Sequence, residues 1–103
     1  MDLKEAQELA RKMRNCLDEK NGKQFQTGSH YLTDLIEEVG ELAAAIGRKE
    51  IRKVEPKHSI QEELMDVLID ILWLANHYKI DIESELSNTL EKWKERFGFE
   101  NLK

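Results

Sequence analysis

The segment from Ile60 to Ala75 is apolar around most of a helical circumference, and acidic residues occupy its only polar strip. At about 100° per residue, Glu63, Asp66 and Asp70 share an arc of roughly 60°. A helix that is apolar on most sides has to be covered on most sides. Three further helices in so short a chain can hardly cover it, so the pattern predicts a second subunit. A monomer with an exposed apolar patch is the alternative.

The rest of the chain has helical spacing, and no segment requires a strand. One proline and five glycines leave little punctuation for hairpins, and Ser59 with Glu62 matches the capping box that starts a helix. We predict an all-α, four-helix bundle-like subunit that forms a single domain over residues 1–103 and oligomerises through helix faces. The predicted helices cover about 2–20, 29–47, 59–78 and 81–97.

Charge and cysteine content exclude several classes of protein. Acids outnumber bases by 21 to 16, which argues against a nucleic-acid polymer as partner, because phosphate neutralisation needs a basic face. Cys16 is the only cysteine, which excludes an intrachain disulfide and favours a reducing, cytoplasmic location. The most apolar run, 67–75, is too short to span a bilayer, and the N-terminus lacks the apolar core of a signal peptide. No membrane association is expected.

A second acidic strip lies on the second predicted helix, where Asp34, Glu38 and Glu41 share an arc of roughly 60°. An antiparallel pairing of the second and third helices would gather four carboxylates, Glu38, Glu41, Glu63 and Asp66. Two charges about 6 Å apart repel by roughly 3 kcal/mol at an effective dielectric near 20. Such a cluster must therefore face water, retain protons or hold a cation. Oxygen ligands suit a hard cation, Mg²⁺ or else Mn²⁺.

Two other interpretations of these acids stay open. Glu-x-x-Glu on a highly charged helix usually marks a solvated face. A di-iron carboxylate site fits less well, because the Glu-x-x-His motif that such bundles use occurs only at Glu55–His58, where Pro56 places it in a loop.

The acidic motifs resemble a known family. EEVGE (Glu37–Glu41), followed by a gap from residue 42 to residue 62 and then ELMD (Glu63–Asp66), resembles the EExxE…ExxD signature of the MazG-like, all-α nucleoside triphosphate pyrophosphohydrolases. The surrounding segments LIEEVGELAAAI and EELMDVLIDILWLANHYKID are similar to family segments, and EKWKERF (Glu91–Phe97) is similar to the C-terminal helix. The resemblance spans about residues 27–97.

The resemblance implies an enzyme that hydrolyses a nucleoside triphosphate, NTP or dNTP, to the monophosphate and pyrophosphate and removes non-standard or surplus nucleotides. It also implies Mg²⁺, or Mn²⁺, as the cofactor. The implied metal ligands, which would also activate the attacking water, are Glu38, Glu41, Glu63 and Asp66. Glu37 is either a general base or a surface residue. The implied binding partner is the nucleotide substrate. The enzyme is expected to be a homodimer or a homotetramer.

Substrate contacts are implied at four further positions. Lys92 and Arg96 lie four residues apart on one helical face and would contact the departing pyrophosphate, although an ordinary surface pair has the same spacing. Asp70 would orient a ligand or a metal-bound water. Asn76 either hydrogen-bonds the base or ribose or is an ordinary surface residue. The aromatic residues that could stack on the base are Phe25, Tyr31, Trp73, Tyr78 and Trp93. Most aromatic residues at helical spacing belong to the core, and Trp73 is expected in the core or in an interface.

The connection between the second and third helices is net basic. Its charged residues are Arg48, Lys49, Arg52, Lys53 and Lys57 against Glu50 and Glu55. A solvated surface loop is the default interpretation, and a loop that leans over the triphosphate is the alternative. Two other functions remain open for the whole chain, a phosphoribosyl-ATP pyrophosphohydrolase and a non-catalytic helical dimerisation module.

Overall fold

The computed structural model describes residues 1–22 and 26–99, and within these ranges the chain forms four α-helices and no strand. The helices are α1 (Leu3–Asn21), α2 (Gly28–Glu50), α3 (Ile60–His77) and α4 (Ile82–Phe97). The prediction of an all-α, bundle-like fold is confirmed. The largest difference from the predicted ends is in α2, which continues to Glu50 rather than stopping at residue 47. In the described ranges, none of the helices has the length and apolar character needed to cross a bilayer.

Each helix begins at a side chain that accepts a hydrogen bond from the backbone of the first turn. These four residues are Asp2, Thr27, Ser59 and Asp81. Ser59 Oγ accepts from the Glu62 amide (3.1 Å), as predicted, but the Glu62 carboxylate accepts from the Ser59 hydroxyl (3.3 Å) rather than from the Ser59 amide. The reciprocal capping box forms at the start of α2 instead, between Thr27 and His30. α1 and α4 end at Gly22 and Gly98, with φ of 78° and 69°, a backbone conformation that glycine adopts without steric cost.

The most extensive packing joins α2 to α3 as an antiparallel pair. The start of α2 meets the end of α3, where the Tyr31 and His77 rings lie 5.0 Å apart. Gly28 lies so close to Tyr78 that a Cβ atom would overlap the phenol hydroxyl. At the other end of the pair, Glu63 faces the last half of α2. α1 packs on α3, and α4 packs on α1.

One buried side chain ties α1 to both α3 and α4. Gln7 Nε2 donates to Asn76 Oδ1 (3.0 Å) and to the Ile80 carbonyl (2.6 Å), and Gln7 Oε1 accepts from the Ile82 amide (3.1 Å). Asn76 Nδ2 donates in return to the Gln7 carbonyl (3.1 Å). Trp73 Nε1 adds a hydrogen bond to the Ala10 carbonyl (2.8 Å). These hydrogen bonds therefore fix the position of α1 on α3 and the position of the start of α4 relative to α1.

Two acids of α3 are buried, while many large apolar side chains are exposed. On α3, Glu63 and Asp70 are only 5% and 7% exposed, whereas Leu64, which follows Glu63 directly, is 49% exposed. Other half-exposed apolar residues of α3 and α4 are Met65, Leu68, Ile69, Ile71, Leu86, Leu90, Trp93 and Phe97. The radius of gyration is 16.8 Å, compared with about 13 Å for a compact domain of about 100 residues. The α2–α3 contact is thus acidic, and the apolar faces point outward.

Replacement of Gln7 by leucine should lower the free energy of unfolding by about 1–3 kcal/mol, because it leaves buried partners on Asn76, Ile80 and Ile82 without hydrogen bonds. Urea denaturation followed by circular dichroism, at one fixed protein concentration, measures the change. Lys12→Ala, an exposed change on the same helix, is the matched control. Equal stability of Gln7→Leu and the wild type would contradict this role.

Candidate metal centre

Three carboxylates converge where the middle of α2 faces the start of α3. Glu38 and Glu41 are three residues apart on α2, so they lie on one face of that helix. Glu63, in the first turns of α3, faces them. One oxygen from each of the three residues lies within 4.8 Å of the others. We call these residues the carboxylate cluster.

Asp66, the fourth predicted ligand, lies beside the carboxylate cluster and outside the 4.8 Å group. Its negative charge raises the pKa values of Glu38 and Glu63, which shows that it is close to both. Its side chain is exposed. Its role as a ligand stays a prediction.

Burial and repulsion from neighbouring acids raise the pKa values of Glu38 and Glu63. Burial, followed by the charges of Glu41, Asp70, Asp66 and Glu63, raises the pKa of Glu38 to about 7. Burial is also the largest cause of the raised pKa of Glu63, to which Glu41 adds, while the His58 side chain opposes it. Near neutral pH a bound cation would therefore compete with protons, and its binding would release them.

The orphaned oxygens of these acids fit a cation. Among the described residues, Glu38 Oε2, Glu63 Oε2 and Asp70 Oδ2 are buried and have no hydrogen-bond partner. A buried carboxylate oxygen without a partner is costly, and a proton or a metal ion removes that cost. The all-oxygen donor set suits a hard divalent cation.

Asp70 continues the acidic row one turn further along α3. Burial and the nearby charges of Asp34 and Asp66 raise its pKa, and the Arg14 guanidinium on α1 opposes the shift. That guanidinium lies 5.3 Å from the centroid of the Tyr31 ring and 5.1 Å from that of Trp73, which is cation–π geometry.

Sequence reasoning missed Arg14, because the first helix carries no motif and nothing in its spacing singles out one of its basic residues. Only the packing of α1 on α3 brings Arg14 to the acidic row. Glu37 is exposed, and its charge contributes to the raised pKa of Asp70, which places it on the flank of the row rather than in the carboxylate cluster.

Three of the residues predicted to contact the substrate lie outside the carboxylate cluster. The side-chain amide of Asn76 already bonds to Gln7 on α1, which gives it a role in holding the helices together. Lys92 and Arg96 lie on α4, which packs on α1, and no hydrogen bond or ion pair of the described residues joins either to the carboxylate cluster. Their contact with substrate stays a prediction.

The aromatic residues predicted to stack on a base are spread over the fold. Tyr31 and Trp73 flank Arg14 beside the acidic row. Trp93 packs edge-on against Phe97 on α4, with ring centroids 6.1 Å apart. Phe25 lies outside the described residues.

A comparison with known protein families identifies the family of this chain. The model of the MazG nucleotide pyrophosphohydrolase domain matches residues 26–97. The chain belongs to the MazG family. The resemblance seen in the acidic motifs is therefore confirmed, as is the class of enzyme, a hydrolase that acts on phosphoric anhydride bonds. No curated protein and no solved structure gives a significant match. The MazG match covers α2, α3 and α4 and leaves out α1, which carries Gln7 and Arg14.

The metal-free protein should lose stability as the pH rises from about 4.5 to 7. In this window the folded chain keeps a proton on Glu38, whose pKa is raised from 4.5 to about 7, and the unfolded chain releases it. Folding therefore takes up a proton in this window, and each rise in pH makes folding less favourable. The melting temperature, measured in a chelator between pH 4.5 and 8, should fall across the window.

Glu38→Gln should flatten this fall, and Glu50→Gln, an exposed change at the end of the same helix, should not. Millimolar Mg²⁺ should raise the melting temperature more at pH 8 than at pH 5, because protons no longer compete for the ligands. A melting temperature that rises with pH in the chelator would contradict the buried, proton-retaining cluster.

Proposed function

We propose that the protein is a Mg²⁺-dependent nucleoside triphosphate pyrophosphohydrolase that cleaves NTP or dNTP to the monophosphate and pyrophosphate. The observation that carries this proposal is the convergence of Glu38, Glu41 and Glu63 oxygens within 4.8 Å, inside the segment that the MazG model matches. These three residues would hold the cation, and Asp66 would complete the set. Mn²⁺ is the alternative cation for such oxygen ligands.

The chemistry follows from the donor set. A bound divalent cation would draw charge from the phosphate oxygens and lower the pKa of a bound water. The attacking water oxygen forms a bond to the α-phosphorus, and the bond from that phosphorus to the bridging oxygen breaks. The electron pair of the broken bond leaves with pyrophosphate.

Asp70 is the residue that we assign to orient the attacking water. It is buried, its Oδ2 has no hydrogen-bond partner among the described residues, and it lies one turn beyond Asp66 on α3. A carboxylate oxygen in that position can accept a hydrogen bond from a water held by the cluster. Glu37 on the flank of the row is the second candidate for a general base.

The removal of non-standard or surplus nucleotides in the cytoplasm is the role that we propose for this activity. The single cysteine, Cys16, is exposed and free, which is compatible with a reducing compartment. The enzyme family and the buried carboxylate oxygens favour catalysis over a dimerisation module. Phosphoribosyl-ATP is the alternative substrate and belongs in the same assay.

Glu38→Gln and Asp66→Asn should each reduce pyrophosphate release by about 100-fold or more, because the loss of a metal ligand costs at least as much as the loss of its supporting partners. The assay incubates the protein with NTPs, dNTPs and phosphoribosyl-ATP in Mg²⁺ and measures pyrophosphate and monophosphate. Glu50→Gln controls for the loss of one acid from α2.

Pyrophosphate release from no substrate in the panel, or full release by both ligand variants, would contradict the proposed activity. Release only from phosphoribosyl-ATP would replace the NTP substrate with that compound.

We also propose that the working form is a homodimer or a homotetramer. The half-exposed apolar residues of α3 and α4 support this, because exposed apolar patches on a protein often mark sites of association. Sedimentation equilibrium should give a multiple of the 12.1 kDa chain mass. A stable 12.1 kDa particle at micromolar concentration would contradict the proposal.

A further inference from the structure

A pocket of about 260 Å³ opens directly beside the carboxylate cluster, where α2 gives way to the loop that leads to α3. Two acids of the cluster, Glu41 and Glu63, are among the residues that line it. Three basic side chains also line it, Arg48 from the last turn of α2 and Lys57 and His58 from the loop, and the rest of the lining is apolar (Ala44, Ala45 and Pro56). We call this the loop pocket.

Backbone hydrogen bonds order the start of the loop. The amides of Ile51 and Arg52 both donate to the Gly47 carbonyl, at 2.9 and 3.2 Å, which closes the end of α2. The Val54 amide donates to the Arg48 carbonyl at 3.0 Å, and Lys53 between them adopts a left-handed conformation, with φ of 59°. Further along the loop, Lys57 and His58 line the same pocket as the acids.

The shared wall of the cluster and the loop pocket carries an unsatisfied acid. Glu63 is 5% exposed, and its Oε2 is buried with no hydrogen-bond partner among the described residues. A cation held there would have the other cluster acids on one side and the loop pocket on the other. A polyanion in the loop pocket would then contact that cation as well as Arg48 and Lys57.

We infer that the loop pocket binds the two terminal phosphates of the substrate, which leave as pyrophosphate, through the Arg48 guanidinium and the Lys57 ammonium group. This inference rests on the proposed function. The departing pyrophosphate gains negative charge as the bond to the α-phosphorus breaks, and fixed cations beside it stabilise that charge. Arginine and lysine are the usual partners of phosphate oxygens.

The position of the loop pocket separates it from the cations first predicted for this task. Lys92 and Arg96 lie on α4, which packs on α1, whereas Arg48 and Lys57 line the same pocket as two cluster acids. Within one chain, the last turn of α2 and the loop that follows it therefore bring positive charge to the edge of the carboxylate cluster.

Direct binding of inorganic pyrophosphate tests the inference without turnover. Calorimetric titration into the Mg²⁺-loaded protein should show that Arg48→Gln and Lys57→Gln each weaken the affinity by about tenfold, the effect of losing one charge-assisted hydrogen bond. Arg52→Gln, a change of equal charge in the same loop but outside the pocket wall, should stay within about twofold. Lys57 is an exposed loop residue, so its variant retains the fold even if the α2 variant does not.

Product inhibition shows which end of the substrate the loop pocket holds. Both variants should become less sensitive to inhibition by pyrophosphate and keep the wild-type sensitivity to nucleoside monophosphate. Titration with Mn²⁺ alone should show an unchanged or higher metal affinity, because a nearby positive charge has been removed. Loss of metal affinity would overturn the inference, because weaker pyrophosphate binding would then follow from a damaged cluster.

Unchanged pyrophosphate affinity in both variants would overturn the inference, and so would an equal loss of affinity for the monophosphate. If pyrophosphate instead bound more weakly to Lys92→Gln and Arg96→Gln, the cations that contact the leaving group would be those of α4, which would also overturn the inference. Failure of the proposed function has a different signature. The wild type would then release no pyrophosphate from any nucleotide, whatever the binding titrations show.

Discussion

Electrostatic repulsion across the α2–α3 contact is the constraint on which the rest of the structure depends. The contact surface of this helix pair contains Glu38, Glu41 and Glu63, and two of their oxygens are buried without a hydrogen-bond partner among the described residues. A domain has only about 5–15 kcal/mol of net stability, so unrelieved repulsion of this kind is a large cost. A proton or a cation between the carboxylates of α2 and α3 relieves this repulsion and stabilises the helix pair. Folding and cation binding therefore depend on the same oxygen atoms.

The acidic contact also determines where the apolar residues go. Because the polar strip of α3 faces α2, several large apolar side chains of α3, such as Leu64 and Ile69, are left exposed. α1 packs on α3 and is held by hydrogen bonds from Gln7 and Trp73. The exposed apolar residues of α3 and α4 are the surface through which the proposed oligomer would form. The position of the carboxylates and the exposure of the apolar residues on α3 thus have one origin, the orientation of a single helix.

Local rules predicted much of this, and tertiary contacts decided the rest. The helical period placed Glu38, Glu41 and Glu63 together, since the spacing of residues along two helices fixes their faces. The helix start capped by the Ser59 side chain was equally local. Arg14 could not be predicted, because its position depends on how α1 packs on α3. The sequence suggested a substrate contact or a surface position for Asn76, and its hydrogen bonds to Gln7 could not be predicted, because no pattern in the sequence pairs these two residues.

Gln7 has a consequence for how the domain is assembled. Its side chain accepts from the amide of Ile82, the first residue of α4, and donates to the carbonyl of Ile80 just before it. The direction in which α4 leaves the body of the subunit is thus set by a residue of α1, outside the segment that defines the MazG match. α1 therefore holds the start of α4 in place. A chain with the same α2–α3 pair but without a glutamine at this place in α1 would lack the hydrogen bonds that set the direction of α4.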